Sequence, residues 1–394
     1  MVSADGNRPD YIIMANEYRI SQNWVDEVLD FGHGVIQTEN QQYDSSDWSK
    51  FQRFLTLSAN AGQVFSNPIT YTYSLIYTTS GAYYGGVLSH NGEVNFIPHN
   101  ADRGQEITVD GTVRTYSLVY TGTNAYAGGF LIPNGDIRFV PFSANNATSF
   151  NHAQRINASK VSSTVNFPVR PNTARFTGAV ISASGFTHFI PRNSNTGVRL
   201  NAKTYTAIPY TLVYTTNDAY FGGVLDPNGD IHFVPYSANR GQKVFANNVV
   251  STYSLTYTAA NAYAGGVLAP NGDIHFVPHD ANRGQKISAN GTVSTYSLTY
   301  TTTGAYAGGV LAPNGDIHFV PHNAAVGQRI LANGSVSTYS VAYTTSGAYI
   351  GGVLTPSGDI YLVPHNAAAG QVIVTGAAKP FDIGICCSMF LNKL

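Results

Sequence analysis

After about residue 60 the chain alternates short runs of Val, Ile, Phe, Tyr and Thr with clusters of Gly, Asn, Asp and Pro, and no stretch there keeps apolar residues at helical spacing. Short strands and tight turns follow from that pattern. In the clearest passage, Ala305 to Leu311 reads as one strand and Pro313-Asn314-Gly315-Asp316 as a hairpin turn in which Asn and Gly can take positive φ. Ile317 to Pro321 reads as a second strand. A loop ending in Gly327-Gln328 leads to a third strand, around Gln328 to Leu331. Asn333-Gly334 then turns the chain into a fourth, Val336 to Tyr343. The unit is a small antiparallel meander.

The meander recurs. A paired glycine, degraded to Gly178-Ala179 in the third copy, begins at Gly85, Gly128, Gly178, Gly222, Gly265, Gly308 and Gly351, a step of roughly 43 residues with one longer interval. That period fits a four-stranded blade, and a unit this small must stack on neighbours to bury both faces. The expected fold is all-β, a seven-bladed β-propeller of four-stranded antiparallel blades over residues 61–394. The third copy is irregular: Phe176-Thr177 opens it, Ser184-Gly185-Phe186 replaces the Asn-Gly-Asp turn, and about seven extra residues precede it around Ala147 to Gln154.

The Gly-Gln segment occurs eight times against seven glycine pairs, from Gly62-Gln63 to Gly370-Gln371, if weak versions at Gln154 and Gly197 are included. One outer strand pair is surplus. The simplest closure has Gln63 to Tyr77 completing the blade whose inner strands span Ala348 to Pro364, with the segment after Gln371 as an extra clasp. The two ends could exchange these roles.

Residues 1–60 differ in kind. They hold nine acidic side chains against four basic ones, and both tryptophans of the chain. A small, partly helical region is expected, with Ser21 capping one helix and a second beginning near Ser46. Trp24, Val28, Leu29, Trp48, Phe51 and Phe54 fall on helical faces. They either cover the propeller or anchor in a docking partner, as buried aromatic residues do at interfaces.

Charged residues make up only 11% of the chain and the formal net charge is −1, so no basic footprint suits nucleic acid. No apolar run is long enough to span a bilayer, and Met1 to Gly6 lacks the basic start and apolar core of an export signal. Adjacent Cys386 and Cys387 read as plain thiols.

Chemistry is sparse. Histidine recurs within the second strand (His188, His232, His275, His318) and after its proline (His99, His279, His322, His365), which suggests a metal ring. The other copies hold Asn95, Arg138 and Tyr361, or Phe142, Arg192 and Tyr236, at these positions, and blade packing is the simpler reading. Asp136, Asp230, Asp273, Asp316 and Asp359 read as turn residues. Arg138, Arg175 and Arg192 break the repeat without an evident carboxylate partner. No nucleophile-and-base pair, phosphate loop or metal motif emerges, so neither a cofactor nor an enzyme is expected.

The phrase Gly-Gly-Val-Leu-x-Pro-Asn-Gly-Asp-Ile-His-Phe-Val-Pro resembles the repeats of kelch-type and galactose-oxidase-type propellers. It is especially similar to repeats in structural proteins of tailed phages and other large DNA viruses, as is the ending Phe390 to Leu394. The likeness covers residues 62–394. The copper and tyrosyl-cysteine chemistry of the galactose-oxidase family has no counterpart in this chain. The resemblance implies a virion part, made in the host cytoplasm, whose partners are other virion structural proteins, a host-surface glycan or a receptor, with oligomers within the particle. A neutral surface without an export signal fits the same setting. Two rival readings remain open. In a multivalent lectin, Tyr126, Tyr220, Tyr263, Tyr306 and Tyr349 would stack on sugar rings, although they share the inner strand with the glycine pairs and packing is their simpler reading. The other is a cytoplasmic scaffold propeller.

Overall fold

The computed structural model describes residues 11–15, 18–21, 67–143, 153–165, 176–201 and 206–375. The chain divides into two units, Met1–Val64 and Phe65–Leu394. The described part of the first is a two-stranded antiparallel ladder, Tyr11–Ala15 against Tyr18–Ser21. The expected helices, with Trp24, Val28, Leu29, Trp48, Phe51 and Phe54, lie outside the described residues, as do Cys386 and Cys387.

The second unit consists of seven four-stranded antiparallel sheets, each one blade. Blade 1 runs outward in chain order through Tyr83–Leu88, Val94–Pro98, Arg103–Ile107 and Val113–Ser117. Blades 2 to 6 repeat the order from inner strands beginning at Tyr126, Phe176, Tyr220, Tyr263 and Tyr306. Blade 7 is closed by both ends of the unit. Its first three strands, Tyr349–Leu354, Ile360–Pro364 and Ala369–Val374, come late in the chain, and Ile69–Ser74 supplies the outermost. Six consecutive residue pairs, from Ile69↔Val374 to Ser74↔Ala369, lock this ladder. The expected closure is therefore corrected. Among the described residues the early segment gives one strand, Ile69–Ser74, and the chain through and just after Gln371 is not a surplus clasp but the third strand of the blade, Ala369–Val374. The extra residues before blade 3 lie between the second and third strands of blade 2, and Gln154 already belongs to the latter.

Each inner strand carries a bulge at the residue before the glycine pair and at the first glycine, where the register slips. The first glycine turns its backbone to the ring axis. A Cβ on Gly308 would lie 2.8 Å from the Cα of Gly351, and φ there is +91°, so only glycine lets two blades approach this closely. At the other end of the inner strand, Ala312 N–H donates to the Asp316 carbonyl and Gly315 N–H donates back to Ala312. Gly315 takes positive φ in this turn; Asn314 instead accepts the Asp316 N–H through its side chain.

The second strand, Ile317–Pro321 in blade 6, is buried along its whole length because both its faces meet protein. Its core is shared between blades. Val267 and Val277 of blade 5 pack against Tyr306, Ile317 and Phe319 of blade 6. Full burial of a side chain such as Phe319 stabilises by about 1.5–3 kcal/mol. A polar staple reinforces six of the seven joints: the buried Gln328 Oε1 accepts 2.9 and 2.8 Å bonds from the N–H groups of Thr299 and Tyr300, in the segment leaving blade 5. Gln105, Gln154, Gln242, Gln285 and Gln371 occupy the same place, whereas blade 3 has Val198 there. Gly327, just before Gln328, leaves room for the Tyr339 ring, which a Cβ would meet at 2.2 Å.

Candidate binding face

The turns between the first and second strands, Pro-Asn-Gly-Asp in blades 2, 4, 5 and 6, lie at one end of each blade, here termed lower, and the residues following the second-strand proline lie at the upper end. Ile69 and Val374, in the outer ladder of blade 7, are paired at the lower end.

At the upper end the seven post-proline residues form a closed ring. Ring centroids are 5.6 Å apart for His99–Phe142, 5.5 Å for Tyr236–His279, 5.8 Å for His279–His322, 6.1 Å for His322–His365 and 5.9 Å for His365–His99. Arg192 fills the remaining position, its guanidinium carbon 5.6 Å from the Phe142 ring and 5.2 Å from that of Tyr236. Such spacing allows cation–π attraction.

Backbone bonds fix this ring. The carbonyls of His99, Arg192, Tyr236, His279, His322 and His365 each accept an N–H from the next blade, at Ala125, Ala219, Ala262, Ala305, Ala348 and Ala82, over 2.6 to 2.9 Å. Side chains add a second tie. Asn323 Oδ1 accepts from Gly347 N–H at 2.7 Å, Asn366 Oδ1 from Gly81 N–H at 2.8 Å, and Asp280 Oδ1 from Gly304 N–H at 2.6 Å.

Beneath the ring the axis is filled. The bulged residues of the inner strands meet there, and the Tyr84 and Phe221 rings, from opposite blades, stack at 5.7 Å and 30°. With Ile350 they pack against the small Ala127, Ala264 and Ala307. Large residues from three blades thus face small ones from three others, the complementarity that dense packing requires.

Electrostatics divides the ring. The Nδ1 atoms of His99, His322 and His365 lie 2.7, 3.1 and 3.0 Å from the carbonyls of Tyr126, Tyr349 and Tyr83. A carbonyl only accepts, so Nδ1 carries the proton and Nε2 the lone pair. Burial lowers all four ring histidines, His322 and His365 to about 4 despite the carbonyl bonds, which favour the proton. Arg192 is the ring's cation. Burial works against its charge, but Tyr84 and the Asp218 carboxylate outweigh that and push its pKa up; its Nε donates to Asp218 Oδ1 at 2.6 Å. The carboxylate partner not evident in the sequence is therefore Asp218, supplied by the loop entering blade 4.

The second-strand histidines belong elsewhere. Nδ1 of His232, His275 and His318 meets the hydroxyls of Tyr253, Tyr296 and Tyr339 at 3.3, 3.2 and 3.1 Å, within the outer part of each blade. His275 and His279 thus do not converge. Among the described residues no group of three or more His, Cys, Asp or Glu side chains could hold a metal ion. The repeated aspartates do more than turn the chain. Asp230, Asp273 and Asp316 pair with Lys243, Lys286 and Arg329 at 2.7 to 3.0 Å and cap the N–H groups of Ala246, Ala289 and Ala332. Blade 1 has Glu93 and Glu106 instead, and Lys160 of blade 2 reaches both, at 2.8 and 2.7 Å.

The tyrosines considered for sugar stacking are corrected by burial. Tyr126, Tyr220, Tyr263, Tyr306 and Tyr349 are 0% exposed, and the hydroxyls of the last four donate to Arg240, Arg283, Val326 and Ala369 carbonyls in the third strand or just before it. They hold blades together and offer no face to a ligand. Arg138 is also buried, in the second strand of blade 2, and Arg175 lies outside the described residues.

No family model matches the chain, and no curated protein matches it. Solved structures do. A catalytically inactive histidine-to-alanine variant of the virginiamycin B lyase of Staphylococcus aureus, with quinupristin, matches at a TM-score of 0.66 and 17% identity, over 78% of this chain and 99% of that one. The extracellular domain of a putative hybrid two-component system of B. thetaiotaomicron matches at 0.60 and 10%, over 82% and 42%. An auxiliary nutrient binding protein of Bacteroides ovatus matches at 0.52 and 10%, over 78% and 76%. At these identities the likeness is one of fold, and it carries the seven-bladed propeller without the kelch-type or phage-type subtype of the repeat.

Proposed function

We propose that this chain is a non-enzymatic structural protein of a virus or phage particle, docked through residues 1–60 and presenting the upper face of its propeller to another structural protein or a host-surface glycan. The observation that carries the binding half is the upper ring of seven side chains, six of them on backbone held by hydrogen bonds between blades, above a packed axis. Such a rigid surface suits recognition, because little conformational freedom is lost when a partner settles on it. The particle half is supported by the sparsely charged sequence and by the likeness of its repeat to phage propellers. Sedimentation of a source lysate on a density gradient, followed by mass spectrometry, tests it. Stoichiometric recovery with particles is expected, and absence from every particle fraction sinks the particle role.

A lyase is the second reading, since one matched structure is inactivated by replacement of a histidine and this ring holds four. Incubation of the purified chain with quinupristin separates the two, and turnover would favour the lyase.

A further inference from the structure

The upper ring is chemically two-sided. On blades 6 and 7, His322 and His365 keep their protons on Nδ1, bonded to carbonyls, so each Nε2 is a bare acceptor. On blade 3 stands a cation. Arg192 spends only Nε on Asp218, and its two terminal amino groups donate no hydrogen bond among the described residues. The guanidinium lies over Phe142, Phe221 and Tyr236, and the Arg192 side chain as a whole is 20% exposed. Tyr84 joins the two sides, with its ring 5.9 Å from that of His365 and 5.7 Å from that of Phe221.

An occupant of this face must bring an anion to one side, hydrogen-bond donors to the other, and a body that tolerates aromatic surface between them. We propose that the upper ring binds a carboxylated sugar, its carboxylate on the Arg192 terminal amino groups and its hydroxyls donating to Nε2 of His322 and His365. A planar guanidinium suits a carboxylate because it can donate two parallel bonds. Neutral histidines accept hydroxyl protons without adding positive charge, so a simple anion gains nothing from them. The inner-strand tyrosines are buried and out of a sugar's reach, whereas Arg192, His322 and His365 are partly exposed at the upper end.

The inference rests on the reading that the upper face recognises a host-surface ligand, and the two can fail separately. A chain that sediments with particles yet binds no acidic sugar sinks this inference alone; one that binds acidic sugar but never meets a particle sinks only the virion role.

The test uses the purified full chain with glucuronic acid and N-acetylneuraminic acid as probes, and glucose and acetate as controls, by saturation-transfer NMR and calorimetric titration. At least one acidic sugar is expected to bind about tenfold more tightly than either control, and Arg192→Gln to weaken it about tenfold. Long-range 15N spectra of the histidine rings need no variant. The sugar should shift Nε2 of His322 and His365 and leave His275 and His318, bonded inside their blades, unmoved. Failure of both acidic sugars to bind, binding of acetate as tight as that of the sugar, equal binding by Arg192→Gln, or shifts confined to other histidines would each overturn the proposal.

Discussion

Acidification below pH 6.5 should destabilise this propeller through its buried histidines. Burial lowers His188, His275, His322 and His365 to about 4 and His318 to about 3, from 6.5 in the unfolded chain. The sign follows from proton counting. Between pH 6.5 and 4 the unfolded chain binds protons that the folded chain refuses, so stability rises with pH across that window and is lost as pH falls. A group shifted from 6.5 to 4 gives up about 2 kcal/mol on going from neutral pH to pH 5, and about half of that once local relaxation is allowed. Five groups then remove about 5 kcal/mol, against a typical total of 5–15 kcal/mol. The Asp273–Lys286 pair holds through this range: burial works to raise the Asp273 carboxyl, but the Lys286 ammonium and the Ala289 N–H outweigh it and keep it below its ordinary value. Urea midpoints at pH 7.5, 6.5, 5.5 and 5.0 measure the effect, with calorimetric proton uptake on unfolding as the second readout. A flat midpoint between pH 6.5 and 5, or uptake of less than one proton at pH 5, would refute the reasoning.

Three further experiments probe the ring. Gly308→Ala places a Cβ 2.8 Å from a backbone atom at φ +91° and should cost about 2–4 kcal/mol, whereas Gly178→Ala, with nothing within 4 Å at φ +96°, should cost only the strain of about 1–2 kcal/mol; thermal melts of the pair compare them. Gln328→Leu strands the N–H groups of Thr299 and Tyr300 and should cost about 2–4 kcal/mol in denaturant titrations. Lys160→Met leaves Glu93 and Glu106 unpaired and should cost about 3–5 kcal/mol, part of which Glu106→Gln should restore in a double-mutant cycle.

The blade was legible because its signals are local. Tyr-x-Gly-Gly marks the bulged inner strand, Pro-Asn-Gly-Asp the lower turn, and Ile317–Pro321 keeps the boundaries read from its residues. Closure was legible only as a mismatch of counts. Ile69–Ser74 carries the same Thr and Tyr pattern as any outer strand, and nothing in it says that its partner, Ala369–Val374, lies at the far end of the propeller sequence. Gln328 was visible as a repeated residue, but its role was not, since both N–H groups it holds belong to the preceding blade. A polar residue held at one place in most copies is itself the signal, because a buried side chain of that kind needs a partner.

The upper face was missed for the opposite reason. Two positions, the residue after the inner-strand aromatic and the residue after the second-strand proline, vary between copies, and the second of them read as blade packing. Drift would scatter volumes at random around the axis. Instead Tyr84, Phe221 and Ile350 interlock with Ala127, Ala264 and Ala307. The post-proline variants follow the same logic, since Phe142, Arg192 and Tyr236 are consecutive around the ring and the four histidines complete it. The variation is one continuous patch. Blade 3, which lacks the Gln staple, the inner tyrosine and the turn aspartate, supplies the only cation of that patch and takes its counter-charge, Asp218, from the loop that enters blade 4. In a ring built from copies, the regular positions hold the blades together, and a cluster of departures at one end is where a partner can tell one direction around the axis from another.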